Sequence, residues 1–129
     1  MKKIKKLIPI ILSALFLSAC ASSGENSGYR QITMDEAAKM MAEETNYIIL
    51  DVRRADEDAE GHIPGAINVA NEDIGTTEIH ELPDKSQLIL VYCRSGRRSK
   101  EAAKKLVKLG YTNIVEFGGI LDWKGEIEK

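Results

Sequence analysis

The feature that constrains this chain most is a run of five apolar residues, 88–92 (LILVY), that passes without a break into a polar loop and then an amphipathic stretch. So short a run, uncharged and holding β-branched and aromatic side chains, reads as a strand buried on both faces. Beyond the loop, Ala102, Ala103, Leu106, Val107 and Leu109 fall on one helical stripe, and Gly110 stands where a C-terminal cap would end it. A buried strand followed by a helix of about eleven residues is the building unit of an α/β sheet.

The rest of the chain repeats the alternation. Thr33-Met34-Asp35-Glu36 is a capping-box pattern, so a helix is predicted from there to about Glu44, with a short strand ahead of it near Gln31. Residues 47–51 (YIILD), 66–69 (AINV) and 113–117 (NIVEF) are three more strand candidates, the last followed by Gly118-Gly119 and a short terminal helix around Trp123. The predicted fold is α/β, a mostly parallel central sheet with helices on both faces. There is no internal repeat.

Ahead of this domain, Lys2, Lys3, Lys5 and Lys6 precede an apolar stretch, residues 7–17, that is about half as long as a membrane-spanning helix needs to be. Residues 1–19 therefore read as a cleaved leader. The stretch ends in Leu17-Ser18-Ala19-Cys20, which resembles the lipobox of bacterial lipoproteins. That resemblance implies that Cys20 is lipidated and becomes the mature N-terminus, holding the chain on a membrane outside the cytoplasm. A plain secretory signal with an incidental cysteine is the rival reading. Residues 20–28 then form a flexible polar tether, and residues 29–129, about 100 in all, have room for one domain.

Charge narrows the function. The chain carries 18 basic and 20 acidic residues, and four of the lysines belong to the leader, so 14 against 20 remain and the mature net charge is near −6. A nucleic-acid binder shows the opposite balance. Basic character is instead local, concentrated at Arg94, Arg97 and Arg98.

These arginines sit in Cys93-Arg94-Ser95-Gly96-Arg97-Arg98-Ser99, between the best strand and its helix, where open α/β sheets place their ligands. A loop entering a helix presents unpaired N–H groups, and Gly96 permits the positive φ that curls them toward one point, where an anion is favoured. The same donors and charges favour the thiolate of Cys93, with no general base required. Neither His62 nor His80 is tied to the loop by anything in the sequence. With Cys20 lipidated, Cys93 has no disulfide partner, so it is either a small buried hydrophobe ending a core strand or a thiol kept for reactivity.

The segment YCRSGRRS resembles the active-site loop of single-domain rhodaneses, in which a cysteine opens a six-residue loop, here residues 93–98. Asp51-Val52-Arg53 with Gly61-His62-Ile63-Pro64-Gly65-Ala66-Ile67-Asn68 resembles the family's N-terminal signature, and Phe117-Gly118-Gly119 with Trp123 its C-terminal one, so the likeness spans about residues 30–125. It implies a sulfurtransferase. A small anionic sulfur donor such as thiosulfate would leave one sulfur on Cys93 as a persulfide, and a thiol or cyanide-like acceptor would remove it. Arg94, Ser95, Gly96, Arg97, Arg98 and Ser99 would bind the donor. Asp51 and Arg53 are read as a structural ion pair, His62 as a hydrogen-bonded turn residue and Trp123 as core. No metal or other cofactor is implied.

Two departures from the family pattern stand out: Lys124-Gly125-Glu126-Ile127 replaces its glycine-proline ending, and Arg97 stands where many relatives have an uncharged residue. Two other functions remain open. Phosphatases and arsenate reductases on this scaffold set the arginine one residue later than Arg98, where this chain has Ser99. A persulfide carrier or partner-binding module without turnover would have the same sequence.

Overall fold

The computed structural model describes residues 28–75 and 77–129. The leader, Cys20 and all but the last residue of the tether lie outside the described residues. In chain order the elements are β1 (Arg30–Gln31), α1 (Met34–Glu43), β2 (Tyr47–Asp51), α2 (Ala55–Glu60), β3 (Ile67–Asn68), β4 (Leu88–Cys93), α3 (Arg97–Lys108) and β5 (Ile114–Gly119), with 3-10 turns at Asn71–Asp73 and Ile120–Asp122. The five strands form one sheet in the order β1-β5-β4-β2-β3, and every pairing is parallel.

The apolar run of β4 is central because both of its faces are covered. Ile89, Val91 and Cys93 point with Leu50 to one side and pack on Ala102, Ala103 and Leu106 of α3. Leu90 and Tyr92 point with Ile49, Val115 and Phe117 to the other, against Ala37 of α1 and its flanking methionines Met34, Met40 and Met41. One residue of register exchanges the two sides, so the two-residue period of β4 decides which side chains meet α3.

Local chemistry sets the helix ends. Thr33 Oγ1 accepts from Glu36 N–H at 3.1 Å and Glu36 Oε1 accepts from Thr33 N–H at 2.8 Å, completing the box that starts α1. Helix α3 ends in a Schellman turn: Gly110, at φ +101°, donates to Val107 O at 3.0 Å, and Tyr111 donates to Leu106 O at 3.1 Å.

Some elements differ from the sequence expectation. Helix α1 stops at Glu43 with Glu44 as its cap, β3 keeps only the middle of AINV, and the terminal helix is a single 3-10 turn just before a half-buried Trp123. Helix α2 was not expected at all. Its sequence, ADEDAE, has no apolar stripe, and none of its residues is buried. No helix among the described residues is long and apolar enough to cross a membrane.

Candidate active site

Cys93 is the last residue of β4, at the carboxyl edge of the sheet, and the chain turns there through Arg94, Ser95 and Gly96 into α3. Gly96 has φ +112°, a conformation that side chains disfavour, and it aims its own N–H at Cys93 Sγ from 2.9 Å. Ser99 Oγ lies 3.5 Å from the same sulfur. The sulfur thus faces polar groups on the loop side. The residue is only 1% exposed, however, so Cys93 forms the floor of the loop rather than a projecting thiol.

The loop rests on the end of β5. Arg94 O accepts from Leu121 N–H at 3.2 Å, and a Cβ added at Gly119 would lie 2.0 Å from that same carbonyl oxygen. Gly119 is bare so that the loop backbone can lie against it. The β4–β5 register slips here, since Val91 pairs with Glu116 but Cys93 pairs with Gly119, and the extra residue is absorbed as a bulge with Gly118 at φ +100°. The Gly118 N–H freed by the bulge donates to Glu116 Oε2 at 2.9 Å.

The three loop arginines are not equivalent. Arg98 is bound in a fork by Glu57 of α2, at 2.7 and 3.1 Å, and is only partly exposed. Arg97 reaches Glu101 one turn on, at 3.3 Å on the surface. Arg94 is exposed and has no carboxylate within ion-pair distance among the described residues. Arg94, Arg97 and Arg98 share the rim of one open depression with Ser95, Arg54, Glu57 and Glu72. The positive patch expected from sequence is therefore partly neutralised, and Arg98 ties α3 to α2.

That tie depends on pH. The Arg98 guanidinium holds the Glu57 carboxyl at about 2, down from an ordinary 4.5, against a smaller opposing effect of burial. A carboxylate whose folded value is depressed stabilises the fold above its unfolded value and loses that contribution as pH falls toward the folded one. Glu57→Gln is therefore expected to be less stable than wild type above about pH 5, with the gap closing between about 4.5 and 2; denaturant melts across that range check it.

Asp51 and Arg53 lie behind the loop. Arg53 Nη2 is 2.6 Å from Asp51 Oδ2, Arg53 Nε donates to the same carboxylate at 3.0 Å, and both residues are buried. Tyr92, the neighbour of Cys93, donates its hydroxyl to Asp51 Oδ2 at 2.8 Å and accepts from Ile63 N–H at 3.1 Å, and burial pushes its phenol well above the usual range. His62 holds the C-terminal segment. Its backbone exchanges two hydrogen bonds with Glu128 at 2.8 Å, and its ring lies between Asp58 O at 3.1 Å and Glu128 Oε1 at 3.2 Å, contacts that raise its pKa, the Asp58 carbonyl most. The side chains of Asp51, Arg53 and His62 make no contact with the sulfur.

Two residues that reach the loop escaped the sequence reading, Glu57 and Glu116. The only available signals were an acid in the first turn of a short polar segment and a carboxylate inside an otherwise apolar strand. Both contacts run between segments far apart in the chain.

The sequence pattern of the rhodanese-like domain matches residues 33–126. The chain belongs to the rhodanese-like family. This rhodanese-like chain is 34% identical over 73 residues to the thiosulfate sulfurtransferase PspE of Escherichia coli, covering 57% of this chain and 70% of that one. It is 40% identical over 88 residues to the putative sulfurtransferase YtwF of Bacillus subtilis, covering 68% and 82% respectively. Among solved structures, a rhodanese-like domain protein of Staphylococcus aureus superimposes with a TM-score of 0.66 at 29% identity, over 77% of this chain and 96% of that one. The all-parallel sheet with helices on both faces is accordingly the rhodanese fold, and the relatives are sulfur-transfer proteins.

Proposed function

We propose that the protein moves sulfane sulfur from a thiosulfate-like anion to a thiol or cyanide-like acceptor through a persulfide on Cys93. The supporting observation is the Gly96 N–H directed at the Cys93 sulfur from 2.9 Å, at the mouth of a helix. A thiolate there attacks the outer sulfur of the donor. A sulfur–sulfur bond to Cys93 forms as the donor's own sulfur–sulfur bond breaks, and sulfite leaves with the bonding electron pair. The acceptor then attacks the terminal sulfur and returns the thiolate, so the cycle is electronically closed without a cofactor.

Arg94 is the loop cation with no carboxylate partner among the described residues, and we assign it to the sulfonate end of the donor. A phosphatase reading is disfavoured, because the arginine that would clasp a tetrahedral oxyanion, Arg98, is already forked by Glu57. We place the domain outside the cytoplasm on a lipid carried by Cys20, a claim that membrane fractionation of a Cys20→Ser chain tests directly.

Thiocyanate formation from thiosulfate and cyanide measures turnover. Arg94→Ala is expected to raise KM for thiosulfate about tenfold with kcat nearly unchanged, the loss of one charge-assisted contact made in both ground and transition states. Arg97→Ala is expected to change KM by less than about twofold, as befits an exposed pair. Phosphate-ester hydrolysis without thiocyanate formation would refute the proposal.

A further inference from the structure

Among the described residues two carboxylates are buried, and they are treated differently. Asp51 is paired with Arg53. Glu116, 2% exposed on β5, has no cation within ion-pair distance among the described residues. Its Oε2 accepts from Gly118 N–H at 2.9 Å and from the Ser99 hydroxyl at 2.5 Å, while Oε1 accepts from Gln31 Nε2 at 3.3 Å. Stabilising a bulge amide would need only the first of these bonds.

The second bond bears on the sulfur. A serine hydroxyl has one proton, and four acceptors compete for that of Ser99: Glu116 Oε2 at 2.5 Å, Gly96 O at 3.0 Å, Gly118 O at 3.4 Å and Cys93 Sγ at 3.5 Å. A carboxylate is the strongest acceptor of the three oxygens, and it is also the nearest. With the proton committed there, Ser99 offers Cys93 a lone pair. The serine then accepts from the thiol S–H and gives nothing to a thiolate.

We propose that Glu116 is a positioning residue that commits the Ser99 proton to its own carboxylate and so withholds it from the Cys93 sulfur. Among the described residues the sulfur keeps Gly96 N–H as a donor but lacks a second one, and the nucleophile is restrained rather than fully activated. The groups facing the pair are Tyr29 ahead of β1, Gln31 on β1 and Ser99 on α3, with Arg98 acting on Cys93 from the loop side. The inference rests on Cys93 being the reactive sulfur, but the test below reads that thiol whether or not the protein transfers sulfur.

The test uses the full chain with Cys20→Ser, which leaves Cys93 as the sole thiol. Iodoacetamide, being uncharged, is not steered by the loop arginines, and its alkylation rate at pH 7 follows the thiolate. Glu116→Gln keeps the shape but offers Ser99 a weaker neutral acceptor, so the rate is expected to rise about three- to tenfold. Ser99→Ala alone is expected to leave the rate unchanged or raise it modestly. In the Glu116→Gln background, where the hydroxyl is free to serve the sulfur, the same Ser99→Ala change is expected to lower the rate about threefold or more.

This dependence of the Ser99→Ala effect on the residue at position 116 is what a merely structural role for Glu116 does not produce. An equal fall on Ser99→Ala in both backgrounds would mean that the hydroxyl already serves the sulfur, and would overturn the proposal. So would an unchanged rate in Glu116→Gln, or a Cys93 unreactive in every background. Should the Glu116→Gln chain fail to fold, Ser99→Ala alone decides: a fall refutes, and an unchanged or faster rate supports. Failure to form a persulfide would count against sulfur transfer and leave this result standing.

Discussion

Asp51→Ala is expected to remove about 3–5 kcal/mol of stability, the cost of breaking a buried ion pair from one side. Asp51 is fully buried and accepts from Arg53 N, Nε and Nη2 as well as from the Tyr92 hydroxyl. Without it, a guanidinium 6% exposed keeps only the Gly61 carbonyl, at 2.6 Å, as a hydrogen-bond acceptor among the described residues, and Tyr92 loses its acceptor. A domain of about this size has roughly 5–15 kcal/mol in total, so Tm is expected to drop by more than about 10 °C. The damage reaches the site, because Tyr92 precedes Cys93 and stands in register with Asp51 across β2 and β4. A loss below about 1 kcal/mol by chemical denaturation would mean that the network is held by something other than this carboxylate.

Gly119→Ala is expected to reduce sulfur transfer about 100-fold, the order of loss that follows a displacement of about 1 Å at reacting groups. The new Cβ would meet Arg94 O at 2.0 Å and Ser95 Cα at 2.5 Å, both backbone atoms of the loop, so no side-chain rotation relieves it. Overpacking of this kind costs about 1–3 kcal/mol, which leaves the fold intact while moving Gly96 N–H away from the sulfur. Gly110→Ala is the control. It also adds a methyl group to a glycine, here one at φ +101°, but has open space around the added Cβ and lies at the far end of α3. Equal activity losses in the two variants would contradict the role given to Gly119.

How much of this was readable in the sequence depends on whether a feature is local. Strand β4 and helix α3 are legible because LILVY and the stripe through Ala103 and Leu106 each repeat with one period, and the core they form follows that period on both faces. The ends of α1 and α3 are legible because a capping box and a cap glycine act within a few residues. Helix α2 is not, since ADEDAE buries nothing and is held by ion pairs, Arg54 with Asp56 nearby and Glu57 with Arg98 across 41 positions.

The same distinction divides the site. The position of Cys93 and the turn at Gly96 follow from one contiguous segment, and they stand where that segment places them. The balance of charge around the loop does not, because it depends on Glu57, an acid from α2 that only the folded sheet brings near Arg98. Three arginines in five residues read as one cationic cradle, whereas the fold leaves Arg94 as the one without a carboxylate partner among the described residues. The burial of Cys93 has the same origin: Gly119 allows the loop backbone to lie flat over β5 and cover the sulfur.

The proposed cycle requires the buried sulfur of Cys93, at the foot of this loop, to take up and release another sulfur atom. Intact-mass measurement of the full chain carrying Cys20→Ser, after incubation with thiosulfate, tests it most directly. A gain of about 32 Da, one sulfur atom, that a thiol reverses and that Cys93→Ser abolishes is the expected result. A chain that stays at its original mass while remaining folded, or one that gains the sulfur equally well without Cys93, would contradict it.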